Sequence, residues 1–153
     1  PSYPIDAGEI QSVMPQRAPF LFLEKAMVAD KLAKGAYRIT GDEHFLQGHF
    51  PGNPVFPASI TLEALGQLGV LYLLKADPGV VGGQVDPQSI YFTSCDGVRS
   101  HRISRPGDTL EMEIKLKRLR HPMITFEGHI TIGGEKVVYA EELTLLFDFA
   151  AAS

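Results

Sequence analysis

Cysteine is almost missing from this sequence, in which Cys95 is the only one among 153 residues. A single thiol excludes an intrachain disulfide and a cysteine-based zinc cage, and it fits a reducing compartment best. The Walker, GxGxxG and GxSxG patterns are absent as well, so the usual sequence signals for nucleotide sites and serine hydrolases are missing. The first residues also lack a charged segment followed by an apolar one, the pattern of a secretory signal. We therefore expect a cytoplasmic protein.

Basic residues are outnumbered by acidic ones, and the chain has a net charge of −4. Residues 99–120 are the exception, because seven Lys and Arg against three Asp and Glu give this segment +4 and leave −8 elsewhere. Such a segment is either a strand with a solvated charged face or a docking patch for an acidic partner, and both remain open. Nucleic acid is not an expected partner, since the chain is acidic overall and has no basic motif with interleaved aromatics.

The length and the 44% hydrophobic content predict one globular domain over residues 1–153, because no repeat or linker divides the chain. Residues 110–117 alternate apolar side chains with Glu and Lys, which is the period-2 pattern of a strand with one wet face. The Gly133-Gly134 pair between two apolar runs favours a tight hairpin. The predicted strands are residues 20–28, 35–40, 90–98, 110–117, 124–132 and 136–147.

One long helix is predicted from Ser59 to Lys75, since this segment contains helix formers and no proline. Ser59 is the expected N-cap. The segment is apolar on most faces, but it is short for a membrane span and carries Glu63 and Gln67 near its start. Burial in a protein core is therefore favoured over membrane insertion. A sheet of about five or six mostly antiparallel strands enclosing this helix is an α+β architecture.

The polar groups best suited to catalysis lie in residues 41–58 and at the start of the helix. The prolines of residues 41–58 predict an irregular loop, and within it His49 carries the side chain best matched to proton transfer near pH 7. Glu63 lies in the first turn of an apolar helix, where a low dielectric raises the pKa of a carboxyl. The two form a candidate acid/base pair. A loop-stabilising histidine and an acid favoured by the helix dipole also explain the pattern.

Three further positions near this pair are candidates for binding roles. Gln67 falls one helical turn after Glu63, where its amide either holds the carboxyl in a fixed orientation or satisfies a buried hydrogen bond. The first N–H groups of the helix, around Ala58 and Ser59, have no intrahelical partner and can donate to an oxygen that gains negative charge. Every helix start has such donors, so this signal is weak by itself.

Metal binding and cysteine chemistry are less favoured. Glu43, His44 and His49 are close in sequence, but no HExxH or His-x-His spacing supports a metal site. Cys95 lies on a predicted strand, where a lone cysteine is more often a small core residue than a nucleophile.

Two stretches carry a family resemblance, QGHFPGNPVFP at residues 47–57 and LEALGQ at residues 62–67. They closely resemble the 3-hydroxyacyl-acyl-carrier-protein dehydratases of bacterial fatty-acid synthesis, which have the hot-dog fold. The likeness extends to residues 14–24 and 104–108, and so covers most of the chain. In that family a loop histidine and a helix acid form the active site, and His49 and Glu63 match them. The substrate-binding positions that the resemblance implies are Phe50, Pro57, Ala58, Ser59 and Gln67.

The resemblance also implies an activity that needs no cofactor. A (3R)-hydroxyacyl thioester on acyl carrier protein loses water to give the trans-2-enoyl thioester, in fatty-acid or related polyketide or polyene biosynthesis. His49 would remove a proton from C2 while Glu63 protonates the departing C3 hydroxyl. A glutamate is typical of the branch that dehydrates without also isomerising the double bond. The family's site lies between two protomers, so the resemblance implies a homodimer or a higher homo-oligomer.

Two departures from the family pattern suggest a specialised relative. After the last proline of the loop the family usually has Gly followed by Val or Cys, whereas this chain has Ala58 and Ser59, and the extra methyl group would narrow the site. Gln16 stands where the family commonly has histidine. The alternatives are a hot-dog acyl thioesterase and a non-catalytic acyl-binding subunit, and the retained pair of His49 and Glu63 argues against the latter. Residues 99–120 become a candidate docking surface for the carrier protein, which is typically acidic.

Overall fold

Six strands and one long helix form the core of the structure, a computed structural model that describes residues 3–151. The strands run antiparallel to their neighbours in the order β1-β2-β4-β5-β6-β3. The strands are β1 (Lys25–Val28), β2 (Leu32–Arg38), β3 (Tyr91–Ser100), β4 (Thr109–Arg120), β5 (Met123–Ile132) and β6 (Glu135–Leu146). The helices are α1 (Ala7–Val13), α2 (Ala58–Lys75) and α3 (Pro78–Val81), with 3-10 turns at His44–Gln47 and Pro87–Ser89. The sheet packs against α2, so the expected α+β, hot-dog architecture is confirmed.

The alternating pattern of β4 places one face of this strand in the core. Leu110, Met112 and Ile114 are buried, while the acids between them lie toward solvent. The hairpin between β5 and β6 turns at Gly133 and Gly134, with φ angles of 56° and 83°. Both angles lie in the left-handed region that glycine adopts without strain. The predicted strand and the predicted hairpin are both confirmed.

Helix α2 is buried over most of its length because the sheet packs closely on its backbone. Gly66 makes the closest approach, since a Cβ atom there would lie 2.3 Å from a ring atom of Phe92 on β3. Leu65, Leu68 and Leu71 are fully buried on the same helix. Core packing therefore fixes the orientation of α2 and of every side chain that it presents to the site.

The start of α2 differs from the prediction. The helix begins at Ala58 and its N-cap is Pro57, which has φ −61° and ψ 139°; Ser59 as N-cap is wrong. The Pro57 carbonyl accepts hydrogen bonds from the N–H groups of Ile60, at 3.0 Å, and Thr61, at 3.2 Å. A proline is tolerated at the N-cap because an N–H group there would have no intrahelical acceptor, and Ser59 lies inside the helix, one residue after its start.

The segment before β1 also differs from the prediction. The predicted strand from residue 20 begins only at Lys25, because Phe20 and Phe22 bond through their backbones to the side chain of Gln67 instead of to a strand. The turn-rich start contains α1, capped by Asp6, whose carboxylate accepts a hydrogen bond from the Glu9 N–H at 2.9 Å. No helix within residues 3–151 has both the length and the apolar character needed to cross a bilayer.

Candidate active site

The loop that carries His49 is held in shape by its own backbone. The His49 carbonyl accepts the Val55 N–H at 2.8 Å, and Phe50 and Asn53 exchange two backbone hydrogen bonds of 3.1 and 2.9 Å. The end of the loop is fixed to the β3–β4 connection, where the Phe56 N–H donates to the Ser104 carbonyl at 2.7 Å. These bonds define the position of His49 without support from a regular element.

The imidazole of His49 is fixed in one tautomer. Its Nδ1 lies 2.8 Å from the Val55 carbonyl oxygen. A carbonyl oxygen can only accept, so Nδ1 carries the hydrogen, and Nε2 of the neutral ring keeps a free lone pair. The ring also stacks on Phe50, with 4.3 Å between centroids. This arrangement suits a general base that acts through Nε2.

A cavity of about 330 Å³ opens beside His49. Phe50 and Ala58, two of the predicted substrate-binding residues, line it with His49. Phe50 is 50% exposed and stacks on the His49 ring, so it presents apolar surface beside the imidazole. The remaining walls come from the loop, helix α2, the end of β3, the β3–β4 connection and β6. They are formed by Val55, Phe56, Thr61, Ser100, Arg102, Ile103, Ser104, Val137 and Val138.

Glu63 is half-buried on α2, and its surroundings change its acidity. Burial raises the pKa of this carboxyl above its usual value, and a hydrogen bond from Gln67 lowers the pKa by a smaller amount. The Gln67 Nε2 atom donates to Glu63 Oε2 at 3.1 Å. The net upward shift favours the protonated acid closer to neutral pH, which is the form that can donate a proton.

Gln67 has a second role, because it joins the helix to the segment before β1. The side chain is fully buried. Its Oε1 accepts the Phe22 N–H at 2.7 Å, and its Nε2 donates to the Phe20 carbonyl at 3.0 Å as well as to Glu63. The side chain therefore donates to the Glu63 carboxyl and also satisfies buried backbone groups, while its role in the reaction stays a prediction.

The other predicted binding residues lie at the start of α2. Pro57 is the N-cap, and no side chain caps the helix. Ala58 and Ser59 are exposed, and within residues 3–151 their N–H groups have no hydrogen-bond acceptor. Two N–H donors at the positive end of an 18-residue helix therefore remain available to a negatively charged oxygen.

Among the described residues, Glu63 does not line the 330 Å³ cavity beside His49. Glu63 instead lies one turn before Gly66, on the helix segment that Phe92 of β3 covers. β3 is at the edge of the described sheet, and its Val98 is 40% exposed although it pairs with the buried Ala140. β3 therefore leaves an unpaired edge in the described sheet and packs through Phe92 on the part of α2 that follows Glu63.

Several wall residues of the His49 cavity were not predicted from the sequence. Thr61 lies on the buried side of α2, and Ser100, Arg102 and Ile103 come from β3 and the connection after it. None of them has a motif of its own, because long-range pairing alone brings them to His49. Ser104 had a signal, since it begins one of the stretches that carry the family resemblance.

The structure contains no candidate metal site in the part of the chain that it describes. No three His, Cys, Asp or Glu side chains of residues 3–151 are grouped closely enough to hold an ion. Glu43 bonds instead to the Tyr37 hydroxyl at 2.5 Å and to the N–H groups of Thr40 and Gly41. Its carboxylate is therefore already engaged by donors of the β2 end and the following turn.

Comparisons with known proteins identify relatives along nearly the whole chain. The FabA-like domain family matches residues 14–141. The 3-hydroxyacyl-acyl-carrier-protein dehydratase FabZ of Thermomicrobium roseum is 37% identical over 150 residues, which cover 97% of each chain. The FabZ of Oenococcus oeni is 37% identical over 92% of this chain and 98% of its own.

A solved structure shows the same fold. A chain of the dehydratase heterocomplex ApeI:P from Xenorhabdus doucetiae superposes with a TM-score of 0.71 at 19% identity, covering 91% of this chain and 90% of its own. The likeness in fold and the identity to curated relatives extend over nearly the whole sequence. The chain therefore belongs to the FabA-like family of 3-hydroxyacyl-acyl-carrier-protein dehydratases.

Proposed function

We propose that this chain acts as a single domain in the cytoplasm and dehydrates a (3R)-hydroxyacyl thioester on acyl carrier protein to the trans-2-enoyl thioester. The observation that carries this proposal is the near full-length identity of 37% to curated dehydratases. The tautomer of His49 and the raised pKa of Glu63 support it, because together they supply one proton acceptor and one proton donor.

His49 is the base in this reaction. Its Nε2 lone pair takes the proton from C2, and the electrons of the C2–H bond form the C2=C3 double bond. The resulting imidazolium remains bonded through Nδ1–H to the Val55 carbonyl, which stabilises the positive charge. Phe50 stacks on one face of the ring and limits how far the imidazole can turn.

Glu63 is the acid. Its proton joins the departing C3 hydroxyl, the C3–O bond breaks, and water leaves. Glu63 ends as a carboxylate and His49 as an imidazolium, so one proton must return from His49 to Glu63 through solvent before the next cycle. Gln67 donates to Glu63 Oε2 and so holds the carboxyl in one orientation through both states.

The thioester oxygen gains negative charge as the C2 proton leaves. The free N–H groups of Ala58 and Ser59 are positioned to donate to it, and the dipole of α2 adds to their effect. Ala58 also lines the His49 cavity. Its methyl group occupies space that a glycine would leave free beside this oxygen. This supports a substrate whose shape differs from that of the substrates of family members with glycine at this position.

Two copies of the chain form the complete site. Glu63 does not line the His49 cavity of its own chain, and Phe92 of the edge strand β3 packs on α2 one turn after Glu63. Edge strands pair readily with a second copy. A homodimer that pairs through β3 would bring His49 of one copy toward Glu63 of the other and cover the exposed Tyr91 and Val98.

The test is to incubate purified protein with a 3-hydroxyacyl carrier protein and analyse the products by mass spectrometry. Loss of water without release of a thiol supports dehydration, and His49→Ala and Glu63→Gln should each abolish it. Release of free thiol from the carrier would instead indicate hydrolysis. Binding with neither product at any acyl length would leave only an acyl-binding role and refute the proposal.

A further inference from the structure

The loop that carries His49 is a closed turn whose tip is not packed. His49 Nδ1 donates to the Val55 carbonyl, and the Val55 N–H donates back to the His49 carbonyl. Inside this ring Phe50 and Asn53 exchange their two backbone hydrogen bonds. At the tip, no atom beyond the adjacent residues lies within 4 Å of the place that a Cβ atom on Gly52 would take. The turn is therefore rigid within itself, but packing does not fix the direction in which it points.

The base of the turn is anchored to buried residues on both sides. The His49 N–H donates to the carbonyl of the buried Leu46 at 3.3 Å. On the other side the Phe56 N–H donates to the Ser104 carbonyl at 2.7 Å, and both of these residues are buried. Two bonds at one end leave the turn able to tilt about its base, and a tilt would carry the imidazole with it.

A side-chain hydrogen bond reaches the tip from another part of the chain. Arg105 Nη1 donates to Asn53 Oδ1 at 2.7 Å, and within residues 3–151 the Asn53 side chain has no other hydrogen-bond partner. Arg105 directly follows Ser104, so the β3–β4 connection binds the turn twice, at its base through a carbonyl and at its tip through a guanidinium. The guanidinium is always protonated, which makes this bond stronger than one between neutral groups.

The backbone of Arg105 is itself fixed, so its side chain has a firm support. Its N–H donates to Asp108 Oδ2 at 2.9 Å, and its carbonyl accepts the Asp108 N–H at 3.0 Å. Gly107 closes this second turn with a φ of 94°, in the left-handed region that glycine favours. Arg102 Nη2 lies 3.5 Å from the same Asp108 oxygen. Because Asp108 adjoins β4, the support extends to the sheet.

We propose that Arg105 is a positioning residue for the dehydration and acts through Asn53 to keep the His49 imidazole directed at C2 of the substrate. The inference rests on the proposed function, in which His49 is the base. Neither Arg105 nor Asn53 lines the His49 cavity, so the pair acts through the loop and does not contact a substrate bound there. A general base must lie within hydrogen-bond reach of the proton that it takes, so a tilt of the turn lowers kcat and leaves KM almost unchanged.

Steady-state kinetics with a 3-hydroxyacyl pantetheine thioester test this role without a carrier protein. Arg105→Ala and Asn53→Ala should each lower kcat by about threefold to tenfold and change KM by less than about twofold. The double variant should be no slower than either single one, because both substitutions remove the same bond. The matched control is Arg120→Ala, at an exposed arginine on the far end of β4. It should keep kcat within about 1.5-fold of wild type.

Two further substitutions of Asn53 separate the hydrogen bond from the bulk of the side chain. Asn53→Asp keeps an acceptor for the guanidinium and should retain the kcat of the wild type. Asn53→Leu has a similar volume without an acceptor and should be as slow as Asn53→Ala. The Tm of every variant should stay within about 2 °C of wild type, since Asn53 and Arg105 are both exposed.

Amide hydrogen exchange measures the loop directly and does not depend on activity. The N–H groups of His49 and Phe56 bind outside the turn, so they should exchange at least about threefold faster in Arg105→Ala, with the amides of β4 unchanged. Unchanged exchange or unchanged kcat in Arg105→Ala, additive losses in the double variant, or a loss in Asn53→Asp equal to that in Asn53→Leu would each overturn the role of Arg105. A wild type that forms no enoyl product would instead overturn the proposed function, and the exchange rates would still decide whether Arg105 holds the loop.

Discussion

Gln67 offers the sharpest test of the site, because one buried amide supports both the fold and the acid. Its three hydrogen bonds reach Phe22, Phe20 and Glu63, at 2.7, 3.0 and 3.1 Å. Gln67→Leu keeps a similar volume and removes all three. The Phe22 N–H is buried and loses its acceptor, whereas Phe20 is exposed enough for its carbonyl to find water.

The expected loss of stability follows from this difference. A buried donor left without an acceptor costs about 1–3 kcal/mol, and the other two groups add little. Gln67→Leu should therefore lower the free energy of unfolding by about 1–3 kcal/mol. Urea unfolding at one fixed protein concentration measures it, since assembly adds to apparent stability. Gln11→Leu, on the exposed side of α1, is the matched control and should change the value by less than about 0.5 kcal/mol.

The same substitution should move the pH profile of catalysis in a known direction. The hydrogen bond from Gln67 lowers the pKa of Glu63, so its removal raises that pKa further. The protonated acid then persists to higher pH, and the basic limb of kcat/KM shifts upward. The rate at the optimum falls because the carboxyl loses its fixed orientation. Wild-type stability in Gln67→Leu, or a basic limb that moves to lower pH, would refute this account of Gln67.

Three further outcomes are expected. Burial raises the pKa of Glu63 in the folded state above its value in the unfolded chain. Below the unfolded pKa the carboxyl is protonated in both states and does not destabilise the fold, but as pH rises through the folded pKa it ionises in the folded protein and lowers the stability. Glu63→Gln should therefore raise Tm at pH 8 and leave it unchanged at pH 4, and the opposite order would contradict the shift. When inactive His49→Ala and Glu63→Gln chains are mixed and re-assembled, about one quarter of wild-type activity should return. Half of the dimers then contain one chain of each kind, and one of the two sites in such a dimer is intact. No recovery after verified subunit exchange would exclude a shared site. Gly66→Ala should destabilise the fold by about 1–3 kcal/mol, because the added methyl group clashes with Phe92. In a Phe92→Ala background the clash is removed and alanine has the higher helix propensity, so the same substitution should be neutral or stabilising. An equal loss of stability in both backgrounds would show that the clash is not the cause.

The elements that the sequence predicts well are those with local causes. The alternation of residues 110–117 and the paired glycines at 133 and 134 each determine structure within a few neighbours, and β4 and the β5–β6 hairpin follow them. Helix α2 follows from its composition, within one residue at its start. Such patterns depend on local backbone geometry and on the burial of one face, so these elements can be predicted without information about distant residues.

Prediction fails where a distant residue decides the structure. Residues 20–24 are as apolar as a strand, yet Gln67, more than forty positions away, binds the backbone of Phe20 and Phe22. The cavity walls at Ser100 and Ile103 reach His49 only through strand pairing. The charge of residues 99–120 is plain in the sequence, but its division between paired and unpaired cations depends on where Glu142 and Glu135 lie.

A site shared by two copies requires that each half be rigid within its own chain. The His49 loop is braced against the β3–β4 connection through Phe56 and Ser104, and Glu63 is oriented by Gln67 on a buried helix. Each group is therefore held in place by contacts within its own chain. In the proposed dimer the two halves of the site are already ordered before they meet around a substrate, and the unpaired edge of β3 is the feature through which the second copy can attach.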